Sequence, residues 1–140
     1  MRGKIAMAFG SFDILHPGHI HYLEHASRYG RLIVVVARDE SIRMLKGRKP
    51  LFDEKSRLAL VGALKPVNKA VLGNRIKNPA GIYRILSKYR PDFIVLGYDQ
   101  EIDVLKLVSA LEKYKIGAEI KRERPFRSDV FKSSRLRKMI

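Results

Sequence analysis

The chain has 140 residues, with 29 Lys or Arg against 14 Asp or Glu, a formal net charge of +15. That length makes one domain, residues 1–140, able to bury roughly two-thirds of the surface its unfolded form exposes. With no cysteine, disulfides, thiolate metal sites and cysteine nucleophiles are excluded, and the longest apolar run, Leu32 to Ala37, is far too short to span a bilayer.

Met1-Arg2-Gly3-Lys4 is basic, but the apolar stretch behind it is too short for a secretory signal, so a soluble, cytoplasmic protein is expected. Ile5 to Phe9 reads as a buried strand. Behind it comes Gly10-Ser11-Phe12-Asp13-Ile14-Leu15-His16-Pro17-Gly18, closed by His19. A helix follows over about 18–29, with Ile20, Leu23 and Ala26 or Ser27 at helical spacing and Gly30 ending it. Pro17 suits the first helical turn, because its fixed φ fits and its missing N–H had no partner there. Gly18 lets a phosphate approach the backbone. His16 and His19, three apart, can face one ligand, where unpaired helix N–H groups and the positive dipole end gather anions.

Inside that helix, His21-Tyr22-Leu23-Glu24-His25 matches the H-x-x-E-H pattern of zinc proteases. A catalytic zinc needs a third protein ligand, and no histidine follows His25. We read this stretch as a solvated, charged helix face, with no metal site in the chain.

Leu32 to Ala37 is a second buried strand. After Arg38-Asp39-Glu40, Ser41 to Lys49 reads as a basic loop leaving the carboxyl end of that strand, over the edge that carries the histidines. Lys46 is its candidate triphosphate contact. Asp53-Glu54-Lys55-Ser56-Arg57 opens a helix over about 53–64, with its acids well placed against the dipole. Arg57 prolongs the apolar stripe of Leu60, Val61 and Leu64, so it is buried, paired (Asp53 lies one turn back) or aimed at a ligand. Short strands at Ala70–Leu72, Phe93–Leu96 and Ala118–Ile120 alternate with helix-like segments at about 79–89 and 101–115. The turn Gly97-Tyr98-Asp99-Gln100 follows the fourth strand. At the end of the chain, Ser133 or Ser134 can cap a last helix from about 134 whose N–H groups again face an anion.

Strands alternating with helices, each strand nearly continuously apolar, predict an α/β protein. The expected core is a Rossmann-like parallel five-stranded sheet with helices on both faces. Ligand then binds at the carboxyl ends of the strands where the strand order reverses, and the loops after strands one and four should meet there. The positive charge has three readings: nucleic acid, polyanionic small substrates, or a solubilising surface. No zinc finger, recognition helix or aromatic-interleaved basic strand is present. The charge concentrates at Arg43–Lys49 and Lys121–Lys138, which suits a polyphosphate pocket better than a duplex groove.

Gly10-Ser11-Phe12-Asp13 with His16-Pro17-Gly18-His19 resembles the G-T-F-D…H-x-G-H signature of the HxGH nucleotidyltransferases, with Ser11 keeping the usual threonine's hydroxyl. Phe131-Lys132-Ser133-Ser134-Arg135-Leu136-Arg137 resembles that superfamily's I-S-S-T-x-I-R motif, with Lys132 replacing its first serine. Together with Val36-Ala37-Arg38-Asp39-Glu40, Gly47-Arg48-Lys49-Pro50, Ala63-Leu64-Lys65-Pro66-Val67 and Val95-Leu96-Gly97-Tyr98-Asp99-Gln100, nearly the whole chain is similar to the archaeal-type FAD synthases. The resemblance implies transfer of AMP from ATP to FMN, giving FAD and pyrophosphate, with Mg²⁺ or Co²⁺ bound to the triphosphate. It implies catalytic roles for His16, His19, Lys46 and Arg57. Nucleotide contacts are implied for Gly10, Ser11, Phe12, Asp13, His16, Gly18, His19, Gly97, Tyr98, Asp99, Ser133, Ser134 and Arg137, with Asp99 on ribose or base and Arg57 touching phosphate or closing the site. Relatives are often dimers, so a homodimer is among the implied assemblies; no membrane partner is expected.

Such a reaction needs no general base, because the attacking phosphate is already an anion. It needs in-line placement and charge neutralisation around a crowded phosphorus, which imidazoles, a helix N-terminus, Lys and Arg supply. Two other readings stay open: a cytidylyltransferase acting with CTP on glycerol 3-phosphate or another small phosphate ester, and a non-catalytic nucleic-acid-binding protein.

Overall fold

The computed structural model describes residues 3–75, 83–98, 100 and 102–124. In chain order these form β1 (Ile5–Gly10), α1 (Pro17–Ser27), β2 (Arg31–Val36), α2 (Asp39–Lys46), α3 (Glu54–Gly62), β3 (Lys69–Leu72), α4 (Ile85–Tyr89), β4 (Phe93–Leu96), α5 (Val104–Lys113) and β5 (Glu119–Arg122). The strands make one sheet in the order β3-β2-β1-β4-β5, every pairing parallel.

Alternation along the strands divides the core into two layers, because successive side chains point to opposite faces. Ala6, Ala8, Leu32, Val34, Val36 and Val95 face one way and pack with Leu23 and Ala26 of α1 and Val61 of α3. Met7, Ile33, Val35, Ile94 and Leu96 face the other way, against Ile85 and Leu86 of α4 and Leu107 and Leu111 of α5. Both faces are thereby covered, which is why the central strands read as unbroken apolar runs. The outer strands β3 and β5 are more exposed along their length.

Several expected elements need correction. The segment read as a basic loop is, as far as Lys46, part of the helix α2: Asp39 and Glu40 sit in its first turn and Arg43 and Lys46 in its last, each sign matched to the dipole end it occupies. Gly47 ends it at φ +69°, donating its N–H to the Arg43 carbonyl, a left-handed cap that glycine adopts at little cost. The described part of the expected 79–89 helix is α-helical only over Ile85–Tyr89. α5 starts after Asp103, which caps it through Lys106 N–H. In α1, Leu23 and Ala26 of the expected stripe are buried, but Ile20 is exposed and Tyr22 takes its place in the core. The C-terminal helix expected from about 134 lies outside the described residues.

β1 is central, with β2 on one side and β4 on the other. Its ladder to β2 runs through Gly10↔Val36, whereas its ladder to β4 stops at Ala8↔Val95. Past that point the two strands part. This opening, at the carboxyl ends where strand order reverses, is where such sheets take their ligands.

Candidate active site

The turn from β1 into α1 places the imidazoles. His16 is the N-cap, with extended backbone; its Nδ1 accepts the Gly18 N–H at 3.1 Å, while His19 Nδ1 accepts the His16 N–H at 3.3 Å. This is a capping box built from two histidines, with Pro17 in the first turn as expected. An Nδ1 that accepts carries no proton, so each ring holds its N–H on Nε2, the nitrogen on the far side from the helix backbone. The rings stack at 3.9 Å between centroids. Burial first, then His16 and Lys46, hold the His19 pKa down to about 3, far below the usual imidazole range. The pair therefore presents neutral N–H donors.

Phe12 supports His19 edge-on at 5.4 Å. Its φ is +51° and its side chain is buried, an arrangement that costs a non-glycine residue about 1–2 kcal/mol. The ring folds back over Gly10, where a Cβ would lie 2.7 Å from Phe12 Cε2. Gly10 is thus required by Phe12.

Lys46, the last residue of α2, lays its Nζ 3.1 Å from Ser11 Oγ, so these two predicted residues meet beside the imidazoles. Asp13 and Arg57 are engaged within the protein. Buried Asp13 accepts the Leu51 and Phe52 N–H groups, at 2.8 and 2.9 Å, and so pins the loop between α2 and α3. Arg57 has no exposed surface. Its guanidinium donates to the carbonyls of Phe52, Ser11 and Ala37 and to Asp39 Oδ1, at 2.6–2.9 Å. Of the readings open for Arg57, it is both buried and paired, but not with Asp53, which caps α3 through Ser56 N–H; the arginine's carboxylate is Asp39. Arg57 thereby braces the chain just beyond β1 and β2.

On the other side of the opening, Gly97 and a partly buried Tyr98 follow β4. Gln100 joins this turn to β1: its Oε1 accepts the Gly97 N–H at 2.8 Å and its Nε2 donates to the Phe9 carbonyl at 2.6 Å. Tyr22 of α1 donates its hydroxyl to the Val95 carbonyl at 2.5 Å, and burial drives its pKa upward. These contacts join the turn after the fourth strand to the end of the first, and the helix after the first strand to the fourth. Tyr22 and Gln100 were not picked out from sequence: Tyr22 carries only a core aromatic's signal, and Gln100 that of a turn residue. Asp99, Ser133, Ser134 and Arg137 lie outside the described residues.

His21, from the zinc-protease-like stretch, sits 3.1 Å from the buried Glu123 carboxylate. Among the described residues, no group of three or more His, Asp or Glu side chains could hold a metal ion, and no helix is long and apolar enough to cross a membrane. Asp13, the carboxylate nearest the histidines in the motif, spends its oxygens on backbone N–H groups.

A parallel sheet covered on both faces, split at a strand-order reversal beneath neutral imidazoles, a helix N-terminus and a lysine, defines a mononucleotide-binding α/β protein. Residues 7–139 match the cytidylyltransferase-like family model. FAD synthase of Thermoplasma volcanium is 44% identical over 135 residues, 96% of this chain and 92% of its own. FAD synthase of Methanopyrus kandleri is 44% identical over 124 residues, 86% of this chain and 79% of its own. A solved structure from Thermoplasma volcanium, described as a lipopolysaccharide core biosynthesis protein, superposes with a TM-score of 0.81 at 43% identity, over 89% of this chain and 99% of that one. Pantoate–β-alanine ligase of Francisella tularensis shares the fold alone, with a TM-score of 0.64 at 14% identity, over 98% of this chain and 66% of that one. The chain belongs to the cytidylyltransferase-like family.

Proposed function

We propose that the chain is an FAD synthase, an ATP:FMN adenylyltransferase built as one nucleotidyltransferase domain. The FMN phosphate oxygen attacks the α-phosphorus of ATP in line. A new P–O–P bridge forms, the bond between the α-phosphorus and its bridging oxygen to the β-phosphate breaks, and pyrophosphate leaves with that oxygen. No proton has to be removed from the attacking phosphate.

One observation carries the nucleotidyl-transfer reading: the reciprocal histidine capping box, which fixes two stacked imidazoles as Nε2–H donors at the amino end of α1. Neutral donors suit phosphate oxygens that gain charge in the transition state, because they need no rearrangement as the charge develops. His19 contacts the α-phosphate and His16 the β side. Lys46, held at Ser11, supplies positive charge to the triphosphate, and Gly97 and Tyr98 wall the nucleoside side. A divalent cation such as Mg²⁺ or Co²⁺, bound with the triphosphate, would neutralise part of its charge. The acceptor is named by the FAD synthases to which nearly the whole chain is similar.

Incubation with ATP, FMN and Mg²⁺ or Co²⁺ is expected to yield FAD and pyrophosphate in equal amounts, followed by chromatography and a phosphate-release assay. CTP with glycerol 3-phosphate is the control pair. Product from that pair and none from ATP with FMN would overturn the assignment.

A further inference from the structure

We propose that Gln100 is a positioning residue for the nucleotide, setting the width of the opening between β1 and β4 through its side-chain amide. The proposal rests on the reading that a nucleotide occupies that opening.

The β1–β4 ladder ends at Ala8↔Val95. Beyond it, on the β4 side, the Phe9 carbonyl meets Gln100 Nε2 at 2.6 Å instead of a strand N–H. The same amide's Oε1 takes the Gly97 N–H at 2.8 Å. One side chain, 91 residues away from Phe9, therefore ties the two lips together where backbone pairing has stopped. The tie needs both a donor and an acceptor, which a primary amide has and a carboxylate lacks. Its own backbone is held in turn. Gln100 N–H donates to the Gly97 carbonyl at 3.2 Å, and Arg122 Nη1 donates to the Gly97 and Gln100 carbonyls at 2.8 and 3.2 Å. Tyr22, three residues after His19, sends its hydroxyl to the Val95 carbonyl and lies 3.4 Å from Gln100 Oε1. The imidazole-bearing helix and the turn after β4 thus share one hydrogen-bonded tie. Loosening it moves the nucleoside wall relative to the imidazoles and leaves the β2 side, with Lys46 and Ser11, untouched.

The test compares Gln100→Leu and Gln100→Glu with the wild type, by ATP calorimetry without FMN and by separate KM values for ATP and FMN. The leucine can make neither bond, so ATP affinity should fall about tenfold or more at every pH, as expected for two unsatisfied partly buried groups. The KM for ATP should rise in parallel and the KM for FMN should change less, because the lip that the tie holds, Gly97 and Tyr98, is the one assigned to the nucleoside of ATP. The glutamate reproduces the amide only while protonated, its O–H donating to the Phe9 carbonyl. Once ionised it turns two acceptors on that carbonyl. Facing it are the Tyr22 hydroxyl from α1 and Arg122 from β5, with Glu123 and its partner His21 behind. Relative to wild type at the same pH, Gln100→Glu should therefore bind ATP best at the acid end of the range and fall toward the leucine variant as the pH rises and the carboxyl ionises. Unchanged ATP affinity in Gln100→Leu, whatever happens to its Tm, or a Gln100→Glu ratio that stays flat with pH, overturns the proposal. Absence of FAD formation by the wild type overturns the FAD synthase reading instead, while ATP calorimetry still judges Gln100.

Discussion

An imidazole that accepts a backbone N–H at Nδ1 has its tautomer chosen by the fold, and at His16 and His19 the chooser is the helix start itself. Replacing either by alanine removes an Nε2–H donor and one arm of the capping box together. Each change should raise the barrier to transfer by roughly 2–4 kcal/mol, as for a lost oxyanion donor, with an added loss of about 1 kcal/mol in stability from the cap. Single-turnover rates and urea midpoints separate the two, and wild-type turnover in either variant would remove that histidine from the mechanism. Gly10 gives a second test of this kind. In Gly10→Ala the new methyl would press on the Phe12 ring, which must turn away from His19. We expect a loss of about 1–3 kcal/mol in stability from overpacking, together with slower transfer; an alanine variant with wild-type stability contradicts the packing account.

Elements differ in how plainly the sequence announces them. β1, β2 and β4 were legible because strands covered on both faces must be apolar throughout, and the turn from β1 into α1 because Pro17, Gly18 and two histidines have few other uses together. α2 was not legible: its apolar residues Ile42, Met44 and Leu45 span barely one turn, Met44 and Leu45 are exposed, and its dipole-matched charges read equally well as a polar loop. Arg57 marks the same limit at the site. Its place on an apolar stripe revealed burial, but its partners come from Ser11, Ala37, Asp39 and Phe52, and helical spacing cannot show contacts across the sheet. Those bonds make Arg57 the brace between α3 and the ends of β1 and β2. Arg57→Leu would strand three carbonyls and a carboxylate, and should destabilise the fold by about 3–5 kcal/mol. Arg57→Lys should recover little of this, because an ammonium cannot span the fork. Denaturant unfolding of both variants checks this; full stability in either one refutes the brace.

For the molecule as a whole, the depressed His19 pKa makes stability depend on pH with a definite sign. Unfolded, this histidine titrates near 6.5; folded, near 3. Between those values the unfolded chain takes up a proton that the folded one refuses, so acid favours unfolding. The stabilising contribution is complete above about pH 6.5 and declines as pH falls toward 3. A His19→Gln variant should therefore lose less stability than wild type between about pH 7.5 and pH 5. Equal losses in unfolding titrations would contradict the neutral, buried imidazole.

The strand order also dictates when the molecule becomes competent. β1 meets β2 after one helix, but it meets β4 only after β2, α2, α3, β3 and α4 have intervened. Closing the longer loop has the larger entropic cost, so the half of the sheet that carries the histidines can assemble before its opposite lip arrives. In refolding from denaturant, return of ATP binding should accordingly trail return of helical circular dichroism. Simultaneous recovery of the two signals would mean that both lips dock in a single step.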